Sequence, residues 1–287
     1  MYVLACPCIL DPSLRALGIT TEADRSAFSH ALERCRRFGV EVVPLPCPET
    51  LYLGRDREPI TFLSALDTPE FSNLLDCLER DVREIIKRRG PPLCILGVDS
   101  SPSCGVNFTY VGSRSGEPPK QKGRGALLAR FPDVPAADVV EFSRYRVYLA
   151  APLFSEAERR YNLLLRENLE RGLFSVFLPQ EEGDGSTCRD SGDLRAIYEA
   201  NVGEIRKADI VVAVCEGADA ESGTSWEMGF AFALGKPVYA LRSDFRMVGP
   251  CERVNLMLEE SATFVRSIEE LLRAMKSPLF FEGLEIT

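Results

Sequence analysis

The stretch Ile210-Val-Val-Ala-Val214, followed by Glu221-Ser-Gly-Thr-Ser-Trp-Glu-Met-Gly229 and by Gly235-Lys-Pro-Val-Tyr-Ala-Leu241, decides the reading of the fold. Five consecutive apolar residues, mostly β-branched, are a strand covered on both faces. Ser222-Gly223-Thr224 then makes a tight, small-residue turn into a helix expected over residues 224–234, which Gly235 and Pro237 stop. Residues 238–241 form the next strand. A strand, a helix and a strand within about 30 residues make a crossover unit, and such a unit joins parallel strands.

The same alternation extends in both directions. Upstream, residues 146–151 read as a strand, and Ser155 with Glu158 forms a capping box for a helix that carries Leu163, Leu164 and Leu169 toward the core and ends at Gly172. Residues 174–178 are a strand and 193–207 a helix. In the first half, strands are expected at 2–6, 40–45 and 93–98. One helix there is capped by Thr21 and Asp24 and closed by Gly39; another opens at Thr68-Pro69-Glu70 and runs to Gly90. Residues 112–125, rich in Gly, Ser, Pro and Lys, read as a loop. The period is lost over 131–144, where the domain junction is expected. There is no internal repeat, and 287 residues suit two domains.

A formal charge of -9 argues against a nucleic-acid surface, which needs clustered cations, and points to small-molecule partners. No apolar run approaches the roughly 18 residues that span a membrane. The N-terminus has no basic region and is interrupted by Pro7, so it reads as a strand and not as a signal peptide, and the expected location is cytoplasmic. The ten cysteines should then be reduced. Cys35, Cys77, Cys94 and Cys215 lie on apolar faces and read as core. With His30 as the only histidine, acid–base chemistry falls to carboxylates, Tyr or Cys.

In open α/β sheets ligands sit beyond the carboxyl ends of the strands. In the second half those ends carry Val147-Tyr-Leu-Ala-Ala-Pro-Leu-Phe-Ser155, the run 219–227 and the approach to Asn255-Leu-Met257. Glu227 lies about one turn into a helix. A solvated carboxylate is the plain reading of Glu227, and core aromatics that of Tyr148 and Phe154; Asp209 reads as a strand-start residue and Trp226 as packing. In the first half Cys8, Cys47 and Cys104 each follow a strand in a Pro- or Gly-bounded turn, where they can converge. Three thiolates can hold a metal group with one position open.

Together, Val147 to Glu158, Asn201 with residues 205–212, and residues 221–229 with Gly235-Lys-Pro237 resemble the nucleoside 2-deoxyribosyltransferase family, which includes nucleoside 5'-phosphate N-glycosidases. The resemblance implies Glu227 as a nucleophile forming a covalent glycosyl-enzyme and Tyr148 as the residue orienting it. It also implies Phe154 stacking on the base and Asn201, Glu221, Ser222 and Gly223 holding the substrate, with no cofactor. Asn255 would reach a neighbouring subunit's site, so the expected state is a homo-oligomer, a dimer or higher. Glu221 stands where the family commonly has Asp, and Asn201 where some members have Asp.

Residues 7–18, Cys47-Pro-Glu49 and Ser101-Pro-Ser-Cys-Gly105 resemble the DUF523 family, which includes thiouracil desulfidases. That resemblance implies a [4Fe-4S] cluster on Cys8, Cys47 and Cys104, with Cys6 a rival to Cys8. Glu49 would handle protons, and Ser101 or Ser103 would lie near the substrate. Zinc, or a purely structural domain, is the alternative. The expected class is α/β, two Rossmann-like or flavodoxin-like domains at 1–132 and 145–287, each a mostly parallel sheet flanked by helices. The expected function is an enzyme of modified-nucleoside metabolism; the alternatives are a non-catalytic nucleotide-sensing module and a pure nucleoside 5'-phosphate N-hydrolase.

Overall fold

The computed structural model describes residues 1–112, 119–181, 191–249 and 252–279. The described residues divide into two compact units, Met1–Arg144 and 145–279. Among the described residues no helix is long and apolar enough to cross a membrane.

In the first unit β1 (Tyr2–Ala5), β2 (Glu41–Pro44), β3 (Ile95–Gly97) and, late in the chain, β6 (Ala136–Asp138) make a four-stranded sheet in the order β2-β1-β3-β6. All its pairings are parallel, with Ala5 opposite both Pro44 and Leu96. Helix α1 (Glu22–Arg37) starts at the expected capping box of Thr21 and Asp24. Cys47 caps the short α2 (Pro48–Leu53), and α3 (Pro69–Arg89) is capped by Thr68 and buries Phe71, Leu75, Leu78 and Val82.

Three expectations change here. Part of the 112–125 loop is a strand: β5 (Lys120–Lys122) pairs antiparallel with β4 (Phe108–Tyr110), and residues 113–118 lie outside the described residues. The supposed junction belongs to the first unit, since β6 completes its sheet and α4 (Val139–Phe142) buries Val139 and Phe142. Pro132 and Pro135 mask the period there, because each removes a backbone donor and fixes its own φ. Cys77, expected in the core, is exposed on α3.

The second unit is a five-stranded parallel sheet in the order β11-β10-β9-β7-β8, built from β7 (Arg146–Ala150), β8 (Ser175–Phe177), β9 (Ile210–Val214), β10 (Val238–Leu241) and β11 (Thr263–Val265). Counted from β7 this is 2-1-3-4-5, the flavodoxin-like order, whose ligand crevice opens between the first and third strands. Crossovers run through α5 (Glu156–Arg171), α6 (Ser191–Lys207) and α7 (Ser222–Ala233), with the short α8 (Leu256–Glu259) before β11 and α9 (Ile268–Ala274) after it. Asp209 is structural as expected: its carboxylate accepts from the backbone N–H groups of Tyr145 and Arg146 at 3.2 and 3.0 Å. On α5 the buried stripe is Asn162, Leu165 and Leu169, while Leu164 is 48% exposed. Three leucines in a row cannot all face one side of a 3.6-residue helix, and the i, i+3, i+7 spacing selects Leu165.

Candidate active sites

Ala5 and Pro44 end neighbouring strands opposite each other, and β3 ends at Gly97, one residue past the Leu96 that faces Ala5, so the turns that follow open on the same rim. There a cavity of about 340 Å³ is lined by Cys6, Cys8, Cys47 and Cys104, with Glu49 and Ser101 in its wall. The Cys104 turn is tightly built. A Cβ on Gly97 would lie 2.5 Å from the Cys104 carbonyl, so only glycine lets the turn rest on β3. Ser100 takes a left-handed φ of 72°, and the Ser101 hydroxyl accepts from the Cys104 N–H at 3.0 Å.

Glu49 is buried and held from three sides. The Ser101 hydroxyl donates to it at 3.1 Å, the Ser103 hydroxyl donates to the same oxygen, and Arg57 pairs with the other at 3.1 Å. Ser103 is fully buried, whereas Ser101 faces the cavity. Burial and the neighbouring Cys104 and Cys47 push the Cys8 thiol above the usual thiol range. The hydrogen bond with Cys6, burial and the charges of Cys6 and Cys47 do the same to Cys104. Thiols that raise one another in this way ionise together only around a positively charged group. Among the described residues no three His, Cys, Asp or Glu side chains could hold a metal ion. A cluster of several irons spreads its thiolate ligands more widely than one ion does, and these donors, all sulfur on one cavity, are the kind that iron–sulfur clusters take.

In the second unit Tyr148, in the middle of β7, is fully buried, its ring stacked on Phe177 at 5.6 Å. Its hydroxyl donates to Glu227 Oε1 at 2.5 Å. Glu227 is carried by α7, which turns Thr224, Met228 and Ala231 into the core and so fixes the carboxylate at the rim. Burial pushes Glu227 up to about 7; the Tyr148 hydrogen bond opposes this and the Glu221 charge adds to it. Tyr148 is itself raised by burial, then by the Glu227 charge and hydrogen bond. Burial works against the charge on Glu221, yet hydrogen bonds from the Gly223 and Thr224 amides and the Ser222 and Thr224 hydroxyls outweigh it and hold its carboxyl below the ordinary value. Two neighbouring carboxylates are thereby separated: Glu221 stays ionised while Glu227 titrates near neutrality.

The structure thus brings Tyr148, Glu227, Glu221, Ser222 and Gly223 together. Phe154 is 72% exposed with its backbone N–H pinned to Glu158, and Asn201 is half-buried on α6. Asn255 is exposed and caps α8 through the Met257 N–H at 3.0 Å. Trp226, expected as packing, is 47% exposed and stacks on Phe230 at 5.1 Å.

Asn162 was not legible as a site-shaping residue, although a polar side chain on a buried stripe is its signal: its amide donates to the Pro152 carbonyl and to Gln180 Oε1, both at 2.9 Å. Arg57 gave no signal at all within the polar run Arg55-Asp-Arg57-Glu.

Residues 147–267 match the family model of the nucleoside 2-deoxyribosyltransferases. Over that span the second unit is similar in sequence to the nucleoside 2-deoxyribosyltransferases. Over 148 residues the chain is 24% identical to an uncharacterized protein of Methanocaldococcus jannaschii, covering 50% of this chain and 81% of that protein. A 2-deoxyribosyltransferase from Bacillus psychrosaccharolyticus superposes with a TM-score of 0.39 at 24% identity, covering 44% of this chain and 90% of its own. A [4Fe-4S]-dependent thiouracil desulfidase superposes with a TM-score of 0.32 at 20% identity, covering 48% and 89%.

Proposed function

We propose that the second unit cleaves or exchanges the N-glycosidic bond of a nucleoside or nucleotide through a covalent intermediate on Glu227, and that the first is an iron–sulfur desulfidase acting on a thiobase. The observation that carries the first part is the Tyr148 hydroxyl on Glu227 Oε1 at 2.5 Å. A buried carboxylate is more basic than a solvated one and more nucleophilic for it, and the Tyr148 hydroxyl fixes which oxygen is left to attack C1'. Positive charge developing on the sugar is stabilised by the same carboxylate, with Glu221 adding a second negative charge nearby. Attack by Glu227 expels the base; a second base or water then takes the sugar with overall retention.

In the first unit Cys8, Cys47 and Cys104 would hold the cluster, which supplies an open Lewis-acidic iron for a thiocarbonyl sulfur. Glu49, held by Arg57, Ser101 and Ser103, would be the group that passes a proton to or from the thiobase.

The test is base release from 2'-deoxynucleosides and nucleoside 5'-monophosphates, with and without an acceptor base, by full-length protein and by Glu227→Ala. Turnover lost in the variant supports the reading. Equal binding and no turnover in either protein makes the unit a sensing module. Iron and sulfide in anaerobically prepared protein test the first unit separately.

A further inference from the structure

β7 ends two residues past Tyr148, so the loop 151–155 leaves the sheet just beyond the Tyr148–Glu227 pair. It carries the exposed Phe154. An open aromatic ring at that rim is a surface on which a planar base stacks. Three residues of α5 hold this loop. Glu158 accepts from the Phe154 and Ser155 N–H groups at 3.0 and 2.7 Å, Arg159 donates to the Leu153 carbonyl at 3.0 Å, and Asn162 donates to the Pro152 carbonyl at 2.9 Å. Of the three only Asn162 is fully buried. Its amide also reaches the next loop, donating to Gln180 Oε1 at 2.9 Å in the turn Pro179–Glu181 after β8, and the Gln180 amide donates on to the Arg159 carbonyl at 3.1 Å. Two acceptors on one NH2 group fix its orientation and leave Asn162 Oδ1 buried without a partner among the described residues. Leucine would suit the stripe with Leu165 and Leu169 and bring no unmet oxygen of its own, so packing does not account for an asparagine.

Resting on the glycosidic reading, we infer that Asn162 is a positioning residue that acts through Phe154: one buried amide ties the β7 loop to the β8 loop and so sets where the Phe154 ring meets the base. The bonds made by Glu158 and Arg159 compete with water at the surface. Those made by Asn162 do not, and burial strengthens them. Its partners are Pro152 and Gln180, not Glu227 or Tyr148. Loss of the amide therefore loosens the hold on the base, in the ground state and the transition state alike, and leaves the attack on the sugar intact.

The test is steady-state base release by full-length wild type, Asn162→Leu, Gln180→Ala, Phe154→Ala and the Asn162→Leu/Phe154→Ala double variant. The substrates are whichever of 2'-deoxyadenosine, thymidine and their 5'-monophosphates the wild type turns over. Asn162→Leu should raise KM about tenfold with kcat within about twofold of wild type, the mark of lost uniform binding. Gln180→Ala, which leaves the bond to Pro152, should raise KM about threefold. In the Phe154→Ala background the Asn162→Leu change should add less than about twofold, because the ring it positions is gone. An unchanged KM in Asn162→Leu, a loss confined to kcat, or full additivity with Phe154→Ala would each overturn the inference. Where the melting curve shows that Asn162→Leu does not fold, Gln180→Ala decides: a raised KM supports the inference and an unchanged one overturns it. Wild-type turnover that Glu227→Ala abolishes keeps the glycosidic reading even where this inference falls. Wild-type protein that releases base from none of the four substrates overturns that reading, and this inference with it.

Discussion

Cys8, Cys47 and Cys104 reach their cavity from turns that follow three adjacent strands, whereas Tyr148 and Glu227 meet from inside a strand and from the first turns of a helix. Both arrangements sit at the rim of a parallel sheet whose first strand lies between its second and third in sequence. What differs is how the geometry is held. Regular backbone holds the acid and the phenol, with a core behind Met228 and Tyr148. The thiols depend on turns, and those turns on local devices: Gly97 under the Cys104 carbonyl, Ser101 capping the Cys104 N–H, and Cys47 accepting from the Thr50 N–H and hydroxyl at 3.4 and 3.2 Å. One scaffold therefore presents two different sets of reactive side chains, and the units should respond to mutation independently.

The sharpest break is Glu227→Ala. If Glu227 is the proposed nucleophile, its removal should cut base release by at least about a thousandfold, with iron content unchanged. An iron loss accompanying it would show that the two rims are not independent. Next, alanine at Cys8, Cys47 or Cys104 should each lower iron retention by more than the about 10–100-fold that losing an outer-shell partner costs. Glycosidic turnover should stay at the wild-type level in all three, read from base release on the same preparations. If only one or two of these thiols matter, the site is a simpler metal centre than a cluster.

Tyr148→Phe removes one hydrogen bond to a carboxylate, worth about 10–100-fold in turnover. Because that bond lowers the value at which Glu227 titrates, its loss should move the acid limb of kcat/KM upward from about 7. A pH profile that keeps its limb while activity falls would assign Tyr148 to substrate binding instead of to Glu227.

The same contrast explains what the sequence shows. Most strand positions and helix limits were readable, because apolar runs such as Ile210–Val214 and capping boxes such as Ser155 with Glu158 are local signals. The helix that carries Glu227 was readable because its turn and start are contiguous. The convergence of Cys8, Cys47 and Cys104 followed once three strand ends were placed side by side. Less legible was whatever long-range packing decides: the partnership of Arg57 with Glu49, the tie from Asn162 to Gln180, and β6, whose alanines and flanking prolines carry no strand pattern. Leu164 and Leu165 are chemically identical, and only helix phase says which is buried.

The smallest effect distinguishes the rims by their resting cost. Glu227 titrates at about 7 in the fold, against an ordinary value of 4.5, so the folded chain holds this proton more tightly than the unfolded chain does. The sign follows from linkage: the contribution favouring the fold is fully present below about 4.5, shrinks as pH rises, and is lost above about 7. The gap between the two values corresponds to at most about 3 kcal/mol. Glu227→Gln keeps the shape and cannot ionise, so it should match wild type near pH 4.5 and melt at a higher temperature near pH 8. Parallel melting curves across that range would mean that the carboxylate is well solvated, leaving it no more basic than a surface glutamate and removing the main reason to place the attacking group there.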